Sequence, residues 1–171
     1  MKHNYTNNFD DLKLVPLAEE HIEDMRILRN ENRFCFIYSN IISADEQKNW
    51  FNSYLNKEND YVFSVFVSDV WVGVSSIYNV ANDSAEFGRL MIDKSKVKKE
   101  RLGLATTLCT CDLAFKQLNL KKITLQVYKE NIPAYKTYLN AGFITTATEK
   151  DSNGQELVTM ELLNKYHTKG C

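Results

Sequence analysis

Apolar positions along the chain change their spacing several times, and each change predicts an element. Residues 13–16 read as a short strand. From 18 to about 29, Ile22, Met25 and Leu28 recur at three-residue steps, the spacing of an amphipathic helix. A second helix is predicted over 44–55, with Ser43 as N-cap, Glu46 as its capping-box partner, and Trp50, Phe51, Tyr54 and Leu55 as apolar members. The pattern then turns extended. Residues 61–67 and 71–80 are rich in β-branched and aromatic side chains, and Ser68-Asp69 between them suits a tight hairpin turn. A third strand, 84–92, follows a turn at Ala81-Asn82-Asp83, so the three predict an antiparallel meander.

Helical spacing returns at Leu104, Leu108, Cys111, Phe115 and Leu118, which are expected to form one buried face. Residues 121–127 alternate as a strand with Ile123, Leu125 and Val127 on one side. A last helix opens at Asn131-Ile132-Pro133, proline being tolerated in a first turn, and Gly142 closes it as the residue just past the end. Residues 143–150 and 156–162 flank the turn Ser152-Asn153-Gly154 as the final strands. The order β α α β β β α β α β β predicts an α/β (α+β) fold around a mixed sheet of about seven strands. No repeat, low-complexity tract or linker interrupts it, so one domain is expected over 1–171, with its core at about 12–163 and polar ends.

Composition narrows the class. At 44% hydrophobic and 25% charged residues the chain has the make-up of a globular protein. A net charge of -1 argues against a dedicated nucleic-acid binder, and the basic run 94–101 alone supports one. The opening MKHNYTNNFDDLK lacks the apolar core of a secretory signal. The longest dense apolar stretch, 61–67, falls far short of the ~20 residues that cross a bilayer. A cytoplasmic protein without a membrane partner is therefore expected. Cys35, Cys109, Cys111 and Cys171 show neither secreted-framework nor metal-knuckle spacing and are expected to be buried thiols. Cys109 and Cys111, two apart on a helix, point to different sides. His3, His21 and His167 are scattered, the first and last in ends expected to fray, so no metal is expected.

Two segments carry candidate chemistry. The strand ending Leu90-Met91-Ile92 feeds a basic loop and then Arg101-Leu102-Gly103-Leu104-Ala105-Thr106 at a helix start. Unpaired N–H groups and the dipole at a helix N-terminus attract phosphates, and Gly103 and Ala105 let a pyrophosphate approach the main chain. Neither a G-x-x-x-x-G-K-[ST] nor a G-x-G-x-x-G motif is present, and a solvated charged loop is the competing explanation. The second segment is N-I-P-A-Y-K-T-Y-L-N-A-G-F, 131–143. Asn131 and Tyr138, seven residues apart, project along one helical face. A tyrosine with an ordinary pKa of ~10 stays protonated at neutral pH, so Tyr138 is either an acid or a core aromatic with a tied hydroxyl.

Together these segments resemble the GNAT superfamily of acetyl-CoA-dependent N-acetyltransferases, over about 12–163. The motif N-x-x-A-x-x-x-Y-x-x-x-G-F is the fairly specific part. The loop departs from the family pattern, with Glu100 where Gln or Arg usually leads and Arg101 displaced by one. The resemblance implies a GNAT-like sheet with helices on both faces. It implies that the main chain of Leu90, Met91 and Ile92 pairs with the pantetheine arm of acetyl-CoA as an added strand. Arg101 to Thr106 would cradle the pyrophosphate, Asn131 and Tyr138 would face the thioester, and a backbone N–H near Met91 would receive the oxyanion. Glu86, on the same strand, is the candidate base for the acceptor ammonium. It shares parity with Gly88 and Leu90, so a regular strand puts all three on one face.

Leu28-Arg29-Asn30-Glu31-Asn32-Arg33 and Gln47-x-x-Trp50-Phe51 are similar to the branch holding ribosomal-protein N-terminal and nucleotide-amino-sugar acetyltransferases. The expected activity is acetyl transfer to a primary amine on a small molecule such as a nucleotide-linked amino sugar, by a monomer or homodimer. The alternatives are a protein N-terminal acetyltransferase and a non-catalytic acyl-CoA-binding module.

Overall fold

The computed structural model describes residues 2–164. Its elements run β1 (Asn7–Phe9), β2 (Leu12–Pro16), α1 (Ile22–Glu31), α2 (Ala44–Leu55), β3 (Asp60–Val67), β4 (Val70–Ala81), β5 (Ser84–Ile92), α3 (Leu102–Gln117), β6 (Lys122–Tyr128), α4 (Ile132–Asn140), β7 (Ile144–Lys150) and β8 (Glu156–Leu163). The expected mixed fold is present, with eight strands in the order β1-β2-β3-β4-β5-β6-β8-β7. The additional strand, β1, is a polar three-residue edge whose Asn7 side chain donates to the Cys109 carbonyl and to Asp112 of α3.

The meander forms as predicted, with β3, β4 and β5 antiparallel. Its first turn works because Ser68 and Asp69 both adopt left-handed φ, of 47° and 65°, the geometry that matches strand twist in a two-residue hairpin. The capping box at Ser43 and Glu46 is formed in full. Among the described residues only β5 and β6 pair in parallel, over three residues each, Ser84–Glu86 against Lys122–Thr124. Parallel neighbours need a crossover, and α3 supplies it.

Helices cover both faces. On one, Met25 and Leu28 of α1 and Phe51 and Tyr54 of α2 pack on Val62, Trp71, Val74 and Met91. On the other, Leu102, Cys109 and Leu113 of α3 meet Leu12, Phe63, Val65 and Val72, while Cys111, Ala114 and Tyr138 meet Ile77, Phe87 and Ile123. Each fully buried aliphatic or aromatic side chain contributes about 1.5–3 kcal/mol.

Three expectations are corrected here. The buried side of α3 is broader than the face drawn through Leu108, which is 37% exposed, and it includes Thr106, Thr107 and Thr110. Threonine is tolerated inside because Thr107 and Thr110 donate to the carbonyls of Gly103 and Thr106, four residues back. His3 is not frayed but packed against the rings of Tyr5, Tyr61 and Phe63. Cys109 and Cys111 are buried on different sides of α3, whereas Cys35 is exposed. Cys171 and His167 lie outside the described residues. Among the described residues no helix is long and apolar enough to cross a membrane.

Candidate active site

The site begins where β5 and β6 part company. After Glu86 the two strands diverge, and a cavity of about 650 Å³ fills the opening. Its walls are residues 86–91 of β5, Gln126, Val127 and Tyr128 of β6, Asn131 just ahead of α4, Ala134 and Tyr138 within it, and side chains from α1 and α2. The gap thus joins both faces of the sheet.

A bulge in β5 shapes this wall. Arg89 has a φ of 49°, and the register against β4 shifts by one between the Ser76–Gly88 and Val74–Met91 pairs. Parity reverses at the bulge. Leu90 therefore packs with Phe87 and Tyr138, and Met91 faces α1 and α2, which corrects the expectation that Glu86, Gly88 and Leu90 share a face. The Met91 carbonyl points at β4, since a Cβ on Gly73 would lie 1.9 Å from its oxygen. Asp93, of the same parity, donates to Val72 of β4 at 2.7 Å. By alternation, the N–H and C=O groups of Leu90 and Ile92 face the open edge. The free main chain beside Met91 is therefore that of its two neighbours, and Ile92 itself lies outside the cavity wall.

The bulge is held by a part-buried ion pair. Arg89 Nη1 and Nη2 donate to Asp60 Oδ1 and Oδ2 at 2.5 and 2.9 Å, the planar fork of guanidinium on carboxylate. The guanidinium carbon also lies 4.6 Å from the Tyr78 ring centroid. Tyr78 stands opposite Glu86 in the ladder, and burial, then the Glu86 charge, pushes its phenol up to about 12. Asn79, left-handed at a second bulge, donates to Glu86 Oε1 at 2.9 Å and orients it at the cavity edge.

Across the opening, Tyr138 is 8% exposed, its ring edge-on to Phe87 and Phe143 with centroids 5.9 and 6.0 Å away. Burial raises its phenol well above the ordinary value, and no described residue hydrogen-bonds its hydroxyl. Asn131 caps α4, its Oδ1 accepting from Ala134 N at 3.4 Å. It lines the cavity from outside the helix proper.

The loop–helix segment lies apart from this cavity. Arg101 is left-handed, α3 has no side-chain cap, and the first intrahelical bond is Ala105 N to the Arg101 carbonyl at 3.0 Å. The N–H groups of Leu102, Gly103 and Leu104 thus precede the ladder, as an anion site requires. A Cβ on Gly103 would meet only Thr137 Cγ2, at 3.9 Å, so the space above it is open. Thr106 is fully buried and its hydroxyl finds no partner. Lys99 pairs with Asp11, and Lys96 Nζ sits 4.4 Å from the Trp71 ring centroid, so part of the basic run is structural.

Sequence reasoning missed how the cavity wall at α1 and α2 is built. Asn30 exchanges hydrogen bonds with the main chain of Ile42, at 2.8 and 2.9 Å. Arg29 donates to the carbonyls of Tyr38 and Asn40. These bonds hold residues 33–42 over the cavity, where Cys35, Phe36, Ile37 and Tyr38 line it. The Leu28-Arg29-Asn30 motif was a visible signal, but not of its role as a clamp. Gln47, also in the wall, was noted only as part of a motif.

The model of the Acetyltransferase (GNAT) domain matches residues 11–144, and the chain belongs to that family. It is an acetyl-CoA-dependent N-acetyltransferase. Spermidine N-acetyltransferase from Vibrio cholerae, in a crystal structure with CoA and spermine, superposes with a TM-score of 0.81 at 20% identity, covering 94% of this chain and 100% of that one. FdhC, described as a nucleotide-linked sugar GNAT, gives 0.81 at 20% identity over 98% and 94%. A probable GNAT acetyltransferase from Chromobacterium violaceum gives 0.78 at 13% over 94% and 87%. At such identities the likeness is one of fold. No curated protein sequence matches the chain.

Proposed function

We propose that the chain acetylates a primary amine on a small oxygen-bearing molecule, such as a nucleotide-linked amino sugar, inside the opening between β5 and β6. The observation that carries this is that a carboxylate, Glu86, and a phenol with no described partner, Tyr138, line one cavity beside an unpaired strand edge. Acetyl-CoA supplies an activated acyl group. The open β5 edge at Leu90 and Ile92 suits its pantetheine amides, and the N–H groups of Leu102 to Leu104, with the open space over Gly103, suit its pyrophosphate.

Glu86 takes the proton of the acceptor ammonium, directly or through water, because only the neutral amine is a nucleophile. A main-chain N–H beside Met91 stabilises the negative charge that gathers on the carbonyl oxygen. Tyr138 donates its phenolic proton to the departing sulfur. Cys109 is a poor nucleophile, burial pushing its thiol up to about 12.

The cavity chemistry disfavours a polyamine acceptor. Its acidic members are Glu46 and Glu86. Glu46 is engaged in the α2 capping box, and Glu86 serves the reacting nitrogen. That leaves one carboxylate, Glu46, itself tied by Oε2 to Ser43, for the further ammonium groups of a polyamine. Glu86→Gln keeps the shape and removes the base, so turnover should fall by ~10²–10⁴-fold with acetyl-CoA binding unchanged. A fall under tenfold, measured by thiol release, would assign Glu86 to positioning.

A further inference from the structure

Gln47 is 4% exposed, lies in the cavity wall, and its Nε2 has no hydrogen-bond partner among the described residues. It sits four residues before Phe51 and seven before Tyr54, in the row of α2 side chains that pack on the sheet. A buried amide donor without an acceptor is costly, while an apolar side chain of similar shape at the same place costs little. Folding alone would favour leucine or methionine there.

We propose that Gln47 reads the acceptor substrate, its amide N–H being completed by an oxygen of the molecule to be acetylated. The last torsion of glutamine is broad and roughly two-fold, so either end of the amide can be turned to the cavity at little cost. Trp50, one turn on along α2, and Tyr78 of β4 line the same cavity and offer flat apolar walls to a ring. The class selected is an amine carrying a hydroxyl, carbonyl or phosphate oxygen near the reacting nitrogen. A fully protonated alkyl polyamine offers only donors: it can satisfy the Gln47 oxygen but leaves the amide N–H without an acceptor. A site built to hydrogen-bond a substrate group discriminates strongly against analogues that lack it. The inference rests on the β5–β6 cavity as the acceptor site and adds the chemical feature that it selects.

The test measures binding rather than turnover. Calorimetry in the presence of CoA, where no acetyl group can move, compares UDP-glucosamine, glucosamine and an amino-acid amide with spermidine. The wild type should bind at least one oxygen-bearing amine tenfold or more tightly than spermidine. Gln47→Leu, or Gln47→Met should the first fail to fold, should lose that preference. The same variant should melt at the same or a higher temperature, which a merely structural glutamine would not allow. Gln47→Asn, which keeps an amide, should retain part of the preference. Equal affinities for all four amines in the wild type would overturn the proposal. So would a lowered melting temperature with the preference intact. Should the preference vanish in Gln47→Leu while no amine is acetylated by the wild type, the recognition stands and the proposed activity fails.

Discussion

Removing the Tyr138 hydroxyl separates chemistry from packing more cleanly than any other substitution in this site. In Tyr138→Phe the ring keeps its edge-on packing against Phe87 and Phe143. No described residue hydrogen-bonds the hydroxyl, so the usual ~1 kcal/mol net loss of a buried hydrogen bond does not arise. Stability should stay within roughly 0.5 kcal/mol, and a chain of this size shifts its melting temperature by about 2–4 °C per kcal/mol. A change of about 2 °C or less is expected. Burial raises the phenol of the native protein, so it stays a proton donor through the neutral range. Loss of a general acid of this kind costs about 10²–10⁴ in rate, equivalent to about 2.7–5.4 kcal/mol at ~1.36 kcal/mol per decade. Thiol release under saturating acetyl-CoA, acetyl-CoA affinity by calorimetry and a thermal melt on one preparation give all three numbers. A variant that melts several degrees lower yet turns over within tenfold of the wild type would refute the reasoning and make Tyr138 a core tyrosine.

Other expectations follow from the same geometry. Gly103→Val should leave the melting temperature nearly unchanged, because only Thr137 Cγ2 lies within reach of a Cβ, yet weaken CoA binding tenfold or more; unchanged affinity by calorimetry would remove the α3 N-terminus from the site. Asp60→Ala removes the carboxylate partner of a part-buried Arg89 guanidinium, and the loss should cost about 1.5–3 kcal/mol in denaturant unfolding. A cost below 1 kcal/mol would show the pair to be incidental. His3 is buried neutral, its pKa lowered by burial from 6.5 to about 4. The unfolded chain then binds the extra proton first, so stability is full above pH 6.5 and declines as pH falls toward 4. His3→Phe should flatten that decline, and an unaltered acid limb in a pH series of melts would exclude His3 as its cause.

What the sequence revealed was set by how local each determinant is. The meander, the capping box and the Ser68-Asp69 turn depend on neighbours in the chain and were legible. β1 was not, since Asn7-Asn8-Phe9 has no alternation and is held by α3 from a distance. The bulge at Arg89 was invisible for the same reason: a non-glycine residue adopts left-handed φ there, stabilised by Asp60 of another strand. It was this bulge that undid the parity argument for Leu90. Tyr138 and Asn131 both line the cavity, Tyr138 from within α4 and Asn131 as the cap ahead of it, so helical spacing accounts for the first and not the second. Gln47 carried a signal too, a polar residue in line with Phe51 and Tyr54, whose meaning needed the cavity beside it.

The most direct test of the account is to incubate the protein with acetyl-CoA and a panel of primary amines, and to follow free thiol and the acetylated amine together. The account predicts amine-dependent thiol release matched one to one by N-acetylated product, strongest with oxygen-bearing amines. Acetyl-CoA that binds but yields no more thiol with any amine than without one would contradict it.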